Sequence, residues 1–119
     1  ILVCPQSTDL SRAISGVKLD KLIFDLNDKY QNPEITIASM DKSHFRNKCN
    51  YFLFKKSAVS SHQFIDLVKQ SDFVVSSDSG PLHIALALGK DVLAFFCTTS
   101  PEIVVKSGSY LKVNSKYYA

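Results

Sequence analysis

The chain has 119 residues and carries 14 Lys plus Arg against 11 Asp plus Glu, a formal net charge of +3. That length suits one domain with an ordinary core, and 45% hydrophobic with 21% charged residues excludes a disordered chain. The longest wholly apolar stretch, Val92 to Cys97, is six residues, whereas a membrane-spanning helix needs about 20; the scattered +3 gives no footprint for a nucleic-acid partner.

Ile1 to Cys4 is a short apolar run stopped by Pro5 and predicts a buried strand. Gln6 to Ser15 is polar and reads as a loop. Leu19, Leu22, Ile23 and Leu26 recur at helical spacing among charged residues, which predicts an amphipathic helix over residues 17–30, stopped by Asn32-Pro33. Ile35 to Ala38 is β-branched and predicts the next strand. Residues 41–50 are polar, and a short helix and a loop both fit. Tyr51 to Phe54 predicts a strand, and Ser60 with Gln63 has capping-box spacing at the head of a helix carrying Phe64, Ile65, Leu67 and Val68.

Phe73 to Val75 predicts a fourth strand running into Ser76 to Pro81. Pro81 to Leu88 is apolar almost all round, which predicts a helix buried on most sides, with Pro81 at its first position and Gly89 after its end. Val92 to Phe96 predicts a strand buried on both faces. Cys97 to Pro101 reads as a turn, and residues 102–106 and 110–113 as short further elements. Strands alternate with helices, and no Asn-Gly or Asp-Gly hairpin joins neighbouring strands. The expectation is one α/β domain over residues 1–119, a Rossmann-like open parallel sheet with helices on both faces.

Three cysteines, Cys4, Cys49 and Cys97, form no C-x-x-C pair, which argues against a disulfide framework and a zinc cage and fits reduced thiols in a cytoplasmic protein. His44 and His62 have no metal-ligand spacing with a carboxylate or thiol, so no metal or cofactor is expected. The chain opens on Ile1 inside a strand and shows no secretory signal, as expected of a segment of a longer protein.

In an open parallel sheet, ligands bind at the carboxyl ends of the strands. No Walker A sequence, no G-x-G-x-x-G after the first strand and no G-x-S-x-G elbow occurs there. The strongest segment is Ser77-Asp78-Ser79-Gly80-Pro81-Leu82-His83, which joins a buried strand to an apolar helix. Gly80 lets the backbone approach a ligand. The amides of Gly80, Leu82 and His83 are expected to face outward and, with the helix dipole, to stabilise a phosphate or diphosphate. Asp78 would repel that phosphate and is better suited to accept hydrogen bonds from sugar hydroxyls, while His83 is placed to donate to a phosphate oxygen. On spacing alone, Ser79 or Asp78 as a simple helix cap and His83 as a core histidine fit too. Arg12 is placed to reach the same ligand or to remain a solvated charge, and Asp41 to hold ribose hydroxyls or to cap a helix.

Asp78-Ser79-Gly80-Pro81-Leu82-His83-Ile84-Ala85-Leu86-Ala87-Leu88-Gly89, followed by Val92 to Phe96 and Thr98 to Pro101, resembles the C-terminal signature of the ADP-heptose:lipopolysaccharide heptosyltransferases, glycosyltransferase family nine. The family pattern is D-[TS]-G-P-x-H-x-A-x-A-L-G-x-P, a strand ending in F-G, then T-x-P. The resemblance implies that residues 1–119 are the C-terminal, donor-binding half of a two-domain GT-B glycosyltransferase. It implies substrate-binding roles for Asp78, Ser79, Gly80 and His83, with Arg12 and Asp41 the nearest candidates for a basic and an acidic donor contact. It places the catalytic base in an N-terminal domain outside this chain and implies an inverting, metal-independent reaction. The implied donor is ADP-heptose or a relative, the acceptor the lipopolysaccharide core, and the setting the cytoplasmic face of the inner membrane. Asp91 stands at the family's Pro, Cys97 at its Gly, and the glycine-rich turn after the second strand is missing at Ser39 to Asp41. A non-catalytic nucleotide- or phosphate-binding module is the alternative reading.

Overall fold

A computed structural model describes residues 1–7, 13–46, 48–55 and 57–95. Five strands alternate with three helices: β1 Leu2–Cys4, α1 Gly16–Lys29, β2 Thr36–Ser39, β3 Asn50–Leu53, α2 Ala58–Gln70, β4 Phe73–Ser77, α3 Gly80–Ala87 and β5 Asp91–Phe95. A 3₁₀ turn, Lys42–His44, follows β2 and settles the open choice over residues 41–50. The strands lie in the order β3-β2-β1-β4-β5, and every neighbouring pair is parallel. The chain winds outward from β1 to β3, then crosses to the other side of β1. That reversal opens a crevice at the carboxyl ends of β1 and β4, the usual ligand position in a doubly wound sheet.

Alternation along each strand divides the core in two. Val3, Ile37, Val75 and Phe95 face α1, which buries Leu19, Ile23 and Leu26 against them. Leu2, Val74, Val92 and Ala94 face the opposite layer, where α2 contributes Phe64 and Val68 and α3 contributes Leu82 and Ala85. Helices on both faces are therefore a direct result of consecutive apolar residues in β1, β4 and β5, as a sheet buried on both sides requires.

The helix ends explain where the elements stop. Ser15 caps α1, its side chain accepting from the Lys18 amide (3.4 Å). Gln31 and Asn32 then turn left-handed (φ 57° each), and the Asn32 amide returns to the Asn27 carbonyl (3.0 Å). At the end of α3, Gly89 takes φ +72°, and the Lys90 and Gly89 amides donate to the carbonyls of Ala85 and Leu86 (3.0 Å each). That pair of bonds is a Schellman closure, and its left-handed residue is the glycine the sequence offered.

Three local expectations are corrected. The cap of α2 is Ser57, not Ser60: the Ser57 side chain accepts from the Ser60 amide (3.1 Å), and the helix begins at Ala58. Buried Ser60 instead accepts from the Lys55 amide (3.0 Å), a bond to the loop that competes with the capping box. α3 starts at Gly80, so Pro81 is its second residue. α3 is also less enclosed than its apolar sequence implies: Leu82 and Ala85 are buried, but His83 is exposed and Ile84 half-buried, because one side of the helix borders a cleft. The expectations for Cys97 to Pro101 and for residues 102–113 lie outside the described residues. Among the described residues no helix is long and apolar enough to cross a membrane.

Candidate functional site

A cleft of about 580 Å³ opens at the carboxyl end of the sheet. Asp78, Ser79, Gly80 and His83 all line it, so the loop from β4 to α3 brings the four main candidates together. Cys4, Gln6 and Ser7 approach from the end of β1, Met40 from the end of β2, and Phe54 and Lys55 from the end of β3. Phe64 and Ile65 of α2 form the far wall.

The β4 side of the cleft is held by short polar contacts. The Ser77 hydroxyl donates to the Gln6 carbonyl (2.8 Å), and the Ser7 hydroxyl donates to the Asp78 carbonyl (3.4 Å). These bonds tie the segment after β1 to the last residue of β4 and to the loop that follows it. Asp78 is only 3% exposed, yet it borders the cleft; a carboxyl in that position meets a ligand with little competing water. Ser79 occupies the N-cap position of α3, but its side chain makes no cap bond; its hydroxyl donates to the Ser77 carbonyl (3.3 Å). The simple-cap reading of Ser79 is thereby set aside, and so is the core-histidine reading of His83, which is exposed on the cleft.

One expected feature is corrected. The Leu82 amide is not free to meet a ligand, because it donates to the Ser79 carbonyl (3.1 Å). Pro81 has no N–H, and the amide of Gly80 at the start of α3 has no partner among the described residues. A Cβ added at Gly80 would meet nothing within 4 Å, so the glycine leaves room on the cleft side and not on the protein side.

Asp41 stands apart. It does not line the cleft and caps the 3₁₀ turn, its side chain accepting from the Ser43 amide (2.9 Å) and from the Ser43 hydroxyl. Those bonds hold its carboxyl below the usual aspartate range. It reaches the cleft only through Gln6, whose Nε2 donates to Asp41 Oδ2 (3.3 Å). Arg12 lies outside the described residues. Burial pushes the thiol of Cys4 up to about 12, so this cleft cysteine stays protonated and behaves as a small apolar group.

Gln6, Met40, Phe54 and Lys55 line the cleft without having been singled out in the sequence. Their one sequence signal is position, since each falls within two residues of the end of a strand in a parallel sheet.

A family model, glycosyltransferase family 9 (heptosyltransferase), matches residues 31–115. The chain belongs to this family. Among solved structures, the iron-containing dodecameric glycosyltransferase TibC from enterotoxigenic E. coli H10407 superposes with a TM-score of 0.75 at 16% identity, over 95% of this chain and 32% of its own. E. coli heptosyltransferase WaaC with ADP gives 0.72 at 17%, over 96% of this chain and 38% of its own. E. coli ADP-heptose lps heptosyltransferase II gives 0.62 at 18%, over 84% and 33%. At these identities the likeness shows the fold, and the chain spans about a third of the length of each structure. No curated protein sequence matches.

Proposed function

We propose that this chain is the donor-binding domain of an enzyme that transfers heptose or a related sugar from a nucleotide diphosphate, with ADP as the favoured nucleotide, to a lipopolysaccharide or lipooligosaccharide core. One observation carries the reading: the family's signature segment, Asp78 to His83, forms one wall of a cleft at the switch point of the sheet. The ADP held by one similar structure and the ADP-2-deoxy-2-fluoro heptose held by another favour this donor class.

The chemistry follows from the residues. The Gly80 amide and the positive end of α3 stabilise the diphosphate, and exposed His83 donates to one of its oxygens. Buried Asp78 accepts from hydroxyls of the transferred sugar, and Ser79 supplies a further hydroxyl at the cleft wall. Lys55 is the cation that the described cleft wall offers, and Arg12 is a second candidate from the loop after β1. As the glycosidic bond to the diphosphate breaks, charge grows on the leaving group. Donors fixed in place before that moment favour the transition state over the ground state. The acceptor hydroxyl adds from the opposite face, with inversion and without a metal, and the base that takes its proton comes from a second domain. Asp41 contributes to the donor through Gln6. The enzyme works at the cytoplasmic face of the inner membrane, where its acceptor is exposed.

The test is a thermal-shift and calorimetric comparison of ADP, UDP, GDP and ADP-sugars with the natural-length protein. Binding at one hundred times Kd stabilises by about 2.7 kcal/mol and raises the midpoint measurably. An ADP-sugar is expected to give the largest shift. Absence of a shift with every nucleotide, in a protein that melts cooperatively, rejects the proposal.

A further inference from the structure

We propose that Gln6 reads the ribose of the bound nucleotide, with Asp41 as the residue that positions its amide. The inference rests on the donor-site reading above and deepens it. Gln6 lines the cleft and Asp41 does not.

The Gln6 side chain bridges the ends of β1 and β2. Its Oε1 accepts from the Met40 amide, and its Nε2 donates to Asp41 Oδ2 (3.3 Å). A carboxamide has a donor end and an acceptor end of the same shape, so its orientation must come from its partners. Here the partners are of opposite kind. A backbone N–H can only donate and an ionised carboxylate can only accept, so the flipped amide would lose both bonds. Asp41 is itself held by the Ser43 amide (2.9 Å) and hydroxyl, which fixes the acceptor end of the bridge. The main chain of Gln6 is fixed too, because its carbonyl accepts from the Ser77 hydroxyl (2.8 Å).

An Nε2 group carries two hydrogens. One is used by Asp41, and the second is available to a ligand in the cleft that Gln6 lines. The strand order says which part of a nucleotide it would meet. β1 lies between β4 and β2, and neighbouring strands are about 4.8 Å apart. A diphosphate at Gly80 sits over β4, so the next unit of the nucleotide, its ribose, lies over β1 and β2. The oxygens there are the ribose hydroxyls, which accept the free Gln6 hydrogen. The base then reaches the apolar end formed by Phe54, Phe64 and Ile65.

The experiment measures ADP and 2′,3′-dideoxy-ADP binding to the natural-length protein and its variants by calorimetry. Gln6→Met keeps the length of the side chain and removes both polar ends; it is expected to weaken ADP by about fivefold to tenfold, the effect of one hydrogen bond. The same variant should bind the dideoxy nucleotide as the wild type does. Gln6→Glu, which sets a carboxylate against Asp41, should weaken ADP at least as much as Gln6→Met. Asp41→Ala should lose less than Gln6→Met, and the double variant no more than Gln6→Met alone, because Asp41 acts through Gln6. Equal losses for the two nucleotides would mean a distorted loop and overturn the assignment, as would wild-type ADP affinity in Gln6→Met or Gln6→Glu. Additive losses in the double variant overturn the positioning role of Asp41. A wild-type protein that binds no nucleoside diphosphate overturns the donor-site reading as well, whereas the other outcomes leave that reading standing.

Discussion

The two ends of the cleft are built by different means. At the β4–α3 end, the cleft is lined by Asp78, Ser79, Gly80 and His83, within six consecutive residues and fixed by the backbone path from strand to helix. At the β3–α2 end, the wall is a cluster of rings drawn from separate elements: the Phe54 and Phe64 centroids are 4.7 Å apart, and Phe52 meets Phe54 edge-on at 5.2 Å. The first end gets its geometry from covalent proximity, the second from burial of apolar surface. A substitution at the first end should therefore change ligand binding more than stability, and one at the second should do the reverse.

The largest expected effect tests the apolar end. Phe64 is 2% exposed and sits in the core shared with Leu2, Val74 and Leu82. Phe64→Ala should cost about 3–5 kcal/mol of stability, the usual loss for a buried phenylalanine, visible as a lower urea midpoint. A loss under 1 kcal/mol would show that the ring cluster does not depend on packing.

Asp78→Ala probes the polar end. It should weaken an ADP-sugar by about 10- to 100-fold, as expected for a hydrogen bond to a charged group, and weaken ADP less. Equal losses measured by calorimetry would remove the sugar-hydroxyl role from Asp78. Gly80→Ala sharpens the contrast further. Its new methyl meets no protein atom within 4 Å, so thermal melting should stay where it is, while ADP affinity should fall by roughly tenfold if, as proposed, the methyl enters the space of the diphosphate. A lower melting temperature with unchanged affinity would reverse the assignment of that space to the ligand.

The smallest effect concerns the 3₁₀ turn beside Asp41. Burial holds His44 below its ordinary pKa, outweighing the opposing pull of Asp41, and Arg46 lowers it further. The unfolded chain therefore binds a proton that the folded chain does not. Stability should fall slightly as pH drops below about 6.5, and stop falling from this cause below the folded pKa. Asp41 is ionised in both states across that range, since its own pKa is lowered, so it adds no slope there. Urea midpoints at pH 7.5 and 5.5 should differ less in His44→Asn than in the wild type; an unchanged difference would trace the slope to other groups.

The strands, the three helices and their alternation were legible because the signals are local: apolar runs in β1, β4 and β5, a helical stripe in α1, and Gly89 at the left-handed position after α3. Local signals also failed where two of them competed, as at Ser57 and Ser60, both able to cap α2. Gln6 shows the other kind of limit. Its three partners, Met40, Asp41 and Ser77, lie far along the chain, and residue type alone assigns a glutamine after a strand to solvent.

By itself the amino-acid order determined the parallel α/β class and the segment Asp78 to His83 as one unit, since periodicity and a contiguous motif survive without knowledge of what packs beside them. The tertiary structure alone decided the order β3-β2-β1-β4-β5, the apolar wall opposite that segment and the bridge from Gln6 to Asp41. Those features depend on which distant strands become neighbours. That choice is made by the total burial of both sheet faces, a sum over the whole chain that no single stretch of sequence contains.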